Sequence, residues 1–180
     1  DRYPHIFFRE RCADMGLVTA DFDEDYIASA RMLAITGTHL STPSTADAVM
    51  TAARMARRHG TRVVLDIDYR PVLWGLGSAG DGENRYVASH AVTEAMAALL
   101  PYCDLIVGTE EEIHIAGGGT DTGAALRAIR AVSRGLIVMK RGPMGCIAYE
   151  GAIPEPLEQG VVGAGFPVEV FNVLGAGDAF

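Results

Sequence analysis

Long apolar runs are missing from this chain. No stretch of about 18 uncharged apolar residues occurs, so no membrane-crossing helix is expected. Basic charge is also scarce: 15 Lys and Arg stand against 23 Asp and Glu, a formal net charge of -8. A phosphate backbone needs a broad basic footprint, so this balance argues against a nucleic-acid surface. It leaves room for one small anion, which needs only a few local donors. Cysteine is limited to Cys12, Cys103 and Cys146. Their spacing gives neither a CxxC pair nor a zinc set. An odd count without a pairing pattern points to a cytoplasmic setting. Cys103 and Cys146 lie beside apolar strand-like runs and are expected as buried thiols.

Several catalytic signatures are absent too. The histidines at 5, 39, 59, 90 and 114 form no HExxH and no close pair, which leaves a zinc hydrolase without support. No GxSxG occurs, so neither does the serine-hydrolase pattern. No GxxxxGK[ST] loop is found. No G-x-G-x-x-G follows the strands ending near Asp66 or Val107, which disfavours a dinucleotide-binding oxidoreductase. Asp1-Arg2-Tyr3-Pro4 has no basic-then-apolar leader pattern. Without a starting Met, the chain is expected to be part of a longer one.

What is present is the pattern of an α/β domain. The apolar fraction of 49% and charged fraction of 21% over 180 residues suit a globular domain with a real core. Short apolar runs alternate with longer helical stretches. Strands are predicted to end at Ala34-Ile35-Thr36-Gly37 and to cover Arg62 to Asp66, Asp104 to Val107 and Leu136 to Lys140. Gly145 to Tyr149 reads as an antiparallel neighbour of the last of these, and 151–165 as loops with a short edge strand. Helices are predicted over Thr45 to His59, Arg85 to Leu100, Glu110 to Ala116 and Asp121 to Ser133. Thr42 or Ser44 caps the first of these and Gly60 stops it. Little alternation along the strands implies burial on both faces. The order implies a mostly parallel sheet sandwiched between helix layers, a three-layer α/β/α class. Right-handed crossovers then put Asp66, the Gly108 to Glu112 turn and Lys140 to Gly145 on one rim.

The most informative string is Asn172-Val173-Leu174-Gly175-Ala176-Gly177-Asp178. Two glycines let the backbone bend tightly and approach a ligand. If Asp178 opens a helix, the N–H groups behind it converge where an anion can sit, and the acid can take a proton from a nucleophile. A simple helix cap after a glycine turn explains the same string.

That string resembles the second signature of the PfkB family of sugar kinases, which have the ribokinase-like fold. Asp66-Ile67-Asp68-Tyr69-Arg70 with Leu73-Trp74 is similar to the family's D-x-N-x-R stretch and its Trp. Gly108-Thr109-Glu110-Glu111 falls where the family has N-x-x-E, and Lys140 to Gly145 matches the glycine turn bordering the nucleotide. The resemblance implies ATP and Mg²⁺ as cofactors. It implies Asp178 as the base, Gly175, Ala176 and Gly177 as the anion hole, and Glu111 as the metal residue. It puts Lys140, Gly142, Gly145, Asn172, Gly175 and Gly177 beside the nucleotide. Gly108 for Asn, and Asn172-Val173 for Asp-Thr, depart from the family pattern.

The same strings, with Phe7-Phe8-Arg9-Glu10 and Cys12-Ala13-Asp14, look most like the 5-dehydro-2-deoxygluconokinases of inositol breakdown. Arg9 and Asp178 then bind a sugar-acid substrate. Residues 1–30 adjoin the substrate lid and 31–180 form the core and nucleotide part of an incomplete kinase domain, from a full-length enzyme that can be a homo-oligomer. A kinase of 2-keto-3-deoxygluconate or another sugar stands beside this reading, as does a nucleotide-binding module without catalysis. On residue chemistry alone, Arg9 pairs equally well with Glu10 or Asp14, Arg70 is expected to pair with Asp66 or Asp68, and Lys140 either meets a ligand or snorkels from its strand. Glu110 and Glu112 are expected to be solvated.

Overall fold

The computed structural model describes residue 9 and residues 11–77, 86–169, 175–177 and 179–180. Among these residues, six strands form one sheet in the spatial order of the sequence. They are β1 (Met32–Thr36), β2 (Arg62–Asp66), β3 (Leu105–Thr109), β4 (Leu136–Lys140), β5 (Cys146–Tyr149) and β6 (Val161–Gly163). The first four run parallel and the last two antiparallel. Helices α1 (Glu24–Ser29), α2 (Pro43–His59), α3 (His90–Leu99), α4 (Glu110–Gly117) and α5 (Thr122–Val132) fill the connections. The architecture is the expected three-layer α/β/α class with a mostly parallel central sheet.

Helix ends follow local chemistry. Thr42 caps α2 by accepting the N–H of Thr45, Pro43 opens its first turn, and Gly60 closes it in the left-handed region. Arg57, Arg58 and His59 sit in its last turn, where cations are favoured. Asp121 caps α5 by accepting from Ala124 N–H at 2.6 Å. The helix predicted from about Arg85 begins instead at His90. Residues 81–85 lie outside the described set. Val87 is not helical, because its carbonyl accepts the Tyr69 hydroxyl at 2.6 Å and fixes that approach to the helix.

Each parallel crossover moves one strand along in the same direction. Right-handed crossovers therefore lay α2, α3 and the α4–α5 pair against one face of the sheet. That face carries Val63, Leu65, Ile106, Ile137, Ile147 and Tyr149, all buried. Ala52, Ala53 and Ala56 of α2 let its backbone come close, while Met96 and Leu99 of α3 and Leu126 and Ile129 of α5 fill the rest. Each large side chain so covered contributes roughly 1.5–3 kcal/mol. The opposite face, with Val64 and Val138, is only partly covered by the described residues.

Cys103 is buried as expected, and burial pushes its thiol up to about 12. Cys146 is only half-buried. Cys103 is therefore expected to resist alkylation by iodoacetamide at about pH 8 until the protein unfolds. Labelling in the native protein at a free-thiol rate, read by mass spectrometry, would contradict its burial.

Candidate active site

The rim is built where the parallel strands end. Thr36 of β1 pairs in register with Asp66 of β2, Asp66 with Val107 of β3, and Thr109 of β3 with Lys140 of β4. Lys140 reaches over the intervening strand, and its Nζ lies 3.3 Å from Asp66 Oδ1. Its side chain is only 12% exposed. A methyl carbon placed on Gly177 would lie 3.7 Å from the same Nζ. The structure thus brings Lys140, Asp66 and the glycine turn together, although 74 positions separate the two charged residues.

The turn itself is exposed at Gly175, Ala176 and Gly177. Gly175 has φ 77, which an L side chain rarely adopts. The carbonyls of Gly175 and Gly177 accept from Ala179 and Phe180 N–H at 3.0 and 3.2 Å. The N–H groups of Gly175, Ala176 and Gly177 donate to none of the described residues. Open amides beside an ammonium group suit an anion. Asn172 and Asp178, both expected at this site, lie outside the described residues.

Across the rim, the loop after β2 is heavily tied. Arg70 Nη2 pairs with Asp68 Oδ1 at 2.7 Å, one of the two expected partners. Thr36 donates to the other Asp68 oxygen at 3.1 Å. Asp68 has φ 34, an uncommon conformation for a residue other than glycine. At the β3–α4 turn, Glu110 and Glu111 are exposed. Thr122 Oγ1 donates to Glu110 at 2.6 Å. Glu112 departs from expectation: it is buried, not solvated. Its carboxylate accepts Thr109 N–H at 2.7 Å and Tyr69 N–H at 3.3 Å, which offsets the cost of burial. The T-x-x-E spacing of Thr109 and Glu112 was a readable capping-box signal for this role.

Gly108, expected at the motif's Asn position, sits where the packing favours a small residue. A Cβ there would meet Ile67 Cδ1 at 2.8 Å and Glu112 Cβ at 3.3 Å. The remaining residues expected at the site are more distant in role. Gly142 opens a tight turn between β4 and β5, and Gly145 closes it by donating to the Gly142 carbonyl at 2.9 Å. Arg9 pairs with Asp14 at 2.6 Å, while its Nε is buried without a hydrogen-bond partner among the described residues. His39 Nε2 is likewise buried without one, 3.8 Å from Asp14. Among the described residues, no group of three or more His, Cys, Asp or Glu is gathered as a metal cage.

The pfkB family carbohydrate kinase model matches residues 6–180. The chain is 34% identical over 179 residues to a 5-dehydro-2-deoxygluconokinase of Geobacillus kaustophilus, covering 97% of this chain and 48% of that protein. It therefore spans about half the length of the curated relatives it matches. Among solved structures, a PfkB protein from Polaromonas superposes with a TM-score of 0.70 at 28% identity, over 94% of this chain and 50% of that one. A ribokinase II from E. coli, solved with ATP and Mg²⁺, superposes with a TM-score of 0.75 at 20% identity, over 96% of this chain and 50% of that one. At that identity the likeness shows the ribokinase-like fold alone.

The two turn glycines are expected to differ in tolerance. Gly175→Ala forces a side chain into the left-handed region and should cost about 1–2 kcal/mol locally. Among the described residues, a Cβ at Gly177 meets only the end of Lys140 at 3.7 Å. Thermal unfolding of the full-length variants should show the larger loss for Gly175→Ala. Equal losses would contradict the turn geometry.

Proposed function

Since the chain belongs to the pfkB family of carbohydrate kinases, we propose that the full-length protein transfers the γ-phosphoryl group of ATP to the terminal hydroxyl of a small sugar acid. The carrying observation is the exposed glycine turn, whose amides donate to none of the described residues, beside the Lys140 ammonium. Phosphoryl transfer asks the protein mainly for positioning and for stabilisation of charge on the phosphoryl oxygens. Gly175, Ala176 and Gly177 supply fixed backbone donors for those oxygens, and Lys140 adds a little-exposed positive charge. Asp178, next in the chain, takes the proton of the attacking hydroxyl as the new bond forms. Asn172, Gly142 and Gly145 border the nucleotide.

Glu111 fits a magnesium ion held through water. Mg²⁺ keeps several waters and takes one or two carboxylates together with substrate phosphates. An exposed carboxylate at the β3–α4 turn matches that need better than an all-protein cage. Glu111 would help hold such an ion through water, and the ion would supply positive charge to offset that of the phosphates. The ATP and Mg²⁺ in the E. coli relative support both cofactors.

The substrate we favour is 5-dehydro-2-deoxygluconate, converted to its 6-phosphate in inositol catabolism. Its support is the 5-dehydro-2-deoxygluconokinase activity of several relatives at 30–34% identity. Arg9 supplies the substrate carboxylate with a rigid fork of donors. Its Nε, which bonds to none of the described residues, leaves bonding capacity beyond the Asp14 pair. The chain carries no membrane-length apolar helix among its described residues, and we place the enzyme in the cytoplasm.

In the full-length enzyme, Asp178→Asn is expected to lower turnover by about 10²-fold or more with ATP binding retained. Normal turnover in that variant would remove the base role. Rates across a panel of neutral sugars and sugar acids, with ATP, test the substrate. Arg9→Ala should erase the preference for acids. A wild-type enzyme faster on ribose or fructose than on any sugar acid would reject the assignment.

A further inference from the structure

Arg9 Nε and His39 Nε2 are both buried, and neither bonds to any of the described residues. Buried polar groups are normally satisfied, so each nitrogen calls for an acceptor. Local folding brings the two side chains to one carboxylate, that of Asp14. Cys12 N–H donates to the Arg9 carbonyl at 3.4 Å and Arg11 has φ 59, a tight turn that carries Asp14 back to Arg9. His39 lies in the 3₁₀ turn Gly37–Ser41, which follows β1 at the rim. That turn is anchored: the buried Thr45 hydroxyl of α2 donates to the His39 carbonyl at 2.6 Å, and Ser41 Oγ donates to the Thr38 carbonyl at 2.7 Å.

Arg9 Nη2 lies 2.6 Å from Asp14 Oδ2, and His39 Nε2 lies 3.8 Å from the same oxygen. The first is a strong charge-assisted bond; the second is too long for a hydrogen bond. Facing a carboxylate, Nε2 is the ring nitrogen that carries the proton. Asp14 also cancels the charge of Arg9. A substrate carboxylate that reaches this pair meets one positive and one negative group, so the pair alone discriminates poorly between an acid and a neutral sugar. A further donor is needed, and His39 has one with no good acceptor among the described residues. The cluster opens on its Arg9 and Asp14 side, where the side chains are 33% and 35% exposed against 15% for His39. A carboxylate entering there reaches Nε2 by turning the Asp14 carboxylate aside, and the long contact with His39 does little to resist that. On the sugar-acid reading given above, we propose that His39 is a specificity-determining residue: its Nε2–H joins Arg9 in donating to the substrate carboxylate, in the place that Asp14 Oδ2 approaches.

The test compares two substrates of the full-length enzyme with Mg-ATP: 5-dehydro-2-deoxygluconate, and a neutral analogue with a CH₂OH group in place of the carboxylate. His39→Leu removes the donor at similar size. It is expected to raise the KM for the acid by about tenfold or more. The KM for the analogue, the KM for Mg-ATP and kcat should stay within about twofold of wild type, the mark of a binding contact to the carboxylate alone. His39→Gln, whose amide reaches the Nε2 position, should recover most of the affinity for the acid. His39→Asn, whose amide ends at the Nδ1 position, should not. Thermal unfolding checks that the variants fold, and the Gln and Asn pair decides if the Leu variant does not. A wild type that prefers the acid, combined with a His39→Leu variant that keeps the wild-type KM for it, loses both substrates equally or loses only kcat, would overturn the role of His39 and leave the sugar-acid reading standing. A wild type that works faster on neutral sugars would reject the sugar-acid reading, and the role of His39 with it.

Discussion

The parallel register of β1 to β4 is the constraint on which the site depends. Leu65, Ile106 and Ile137 sit side by side across three strands and are fully buried beneath the helices. A slip of one residue in any strand would turn those side chains to the other face, so the register is strongly specified. The same ladder that buries them sets Thr36 beside Asp66 and Thr109 beside Lys140 at the strand ends. The polar rim is a by-product of apolar pairing further down the strands. Hydrophobic burial there fixes where charge appears at the top.

That rim carries its charges in matched pairs. Lys140 faces Asp66, and Arg70 faces Asp68, each pair partly buried. Partial burial weakens screening by salt, so these charges act over short range more strongly than surface ones. An acidic protein can therefore still offer a local positive spot. The ammonium of Lys140 lies against a turn of open backbone amides, and both favour an anion.

Much of this was legible in the sequence, for stateable reasons. The strands at 62–66 and 136–140 are short, apolar and bounded by turns, and they appear where expected. Thr42, Gly60 and Asp121 announced their helix ends through local chemistry. What stayed hidden depends on contacts distant in sequence. The late start of α3 follows from a hydroxyl at Tyr69, which no window around residue 87 contains. The Lys140–Asp66 pair is a product of strand order and register. The burial of Glu112 needed both the capping pattern, which was readable, and the Tyr69 contact, which was not. Cys146 reads as buried from its apolar neighbours, but it lies at the start of β5 and on the less covered sheet face.

The tight fit of Gly108 against Ile67 has a consequence for how such chains diverge. With 2.8 Å between a would-be Cβ and the end of Ile67, the two positions share a single allotment of space. A side chain at 108 therefore requires Ile67 to swing its terminal methyl away or to give way to a slimmer residue. The cost of giving up glycine at 108 is set by how freely that one methyl can move.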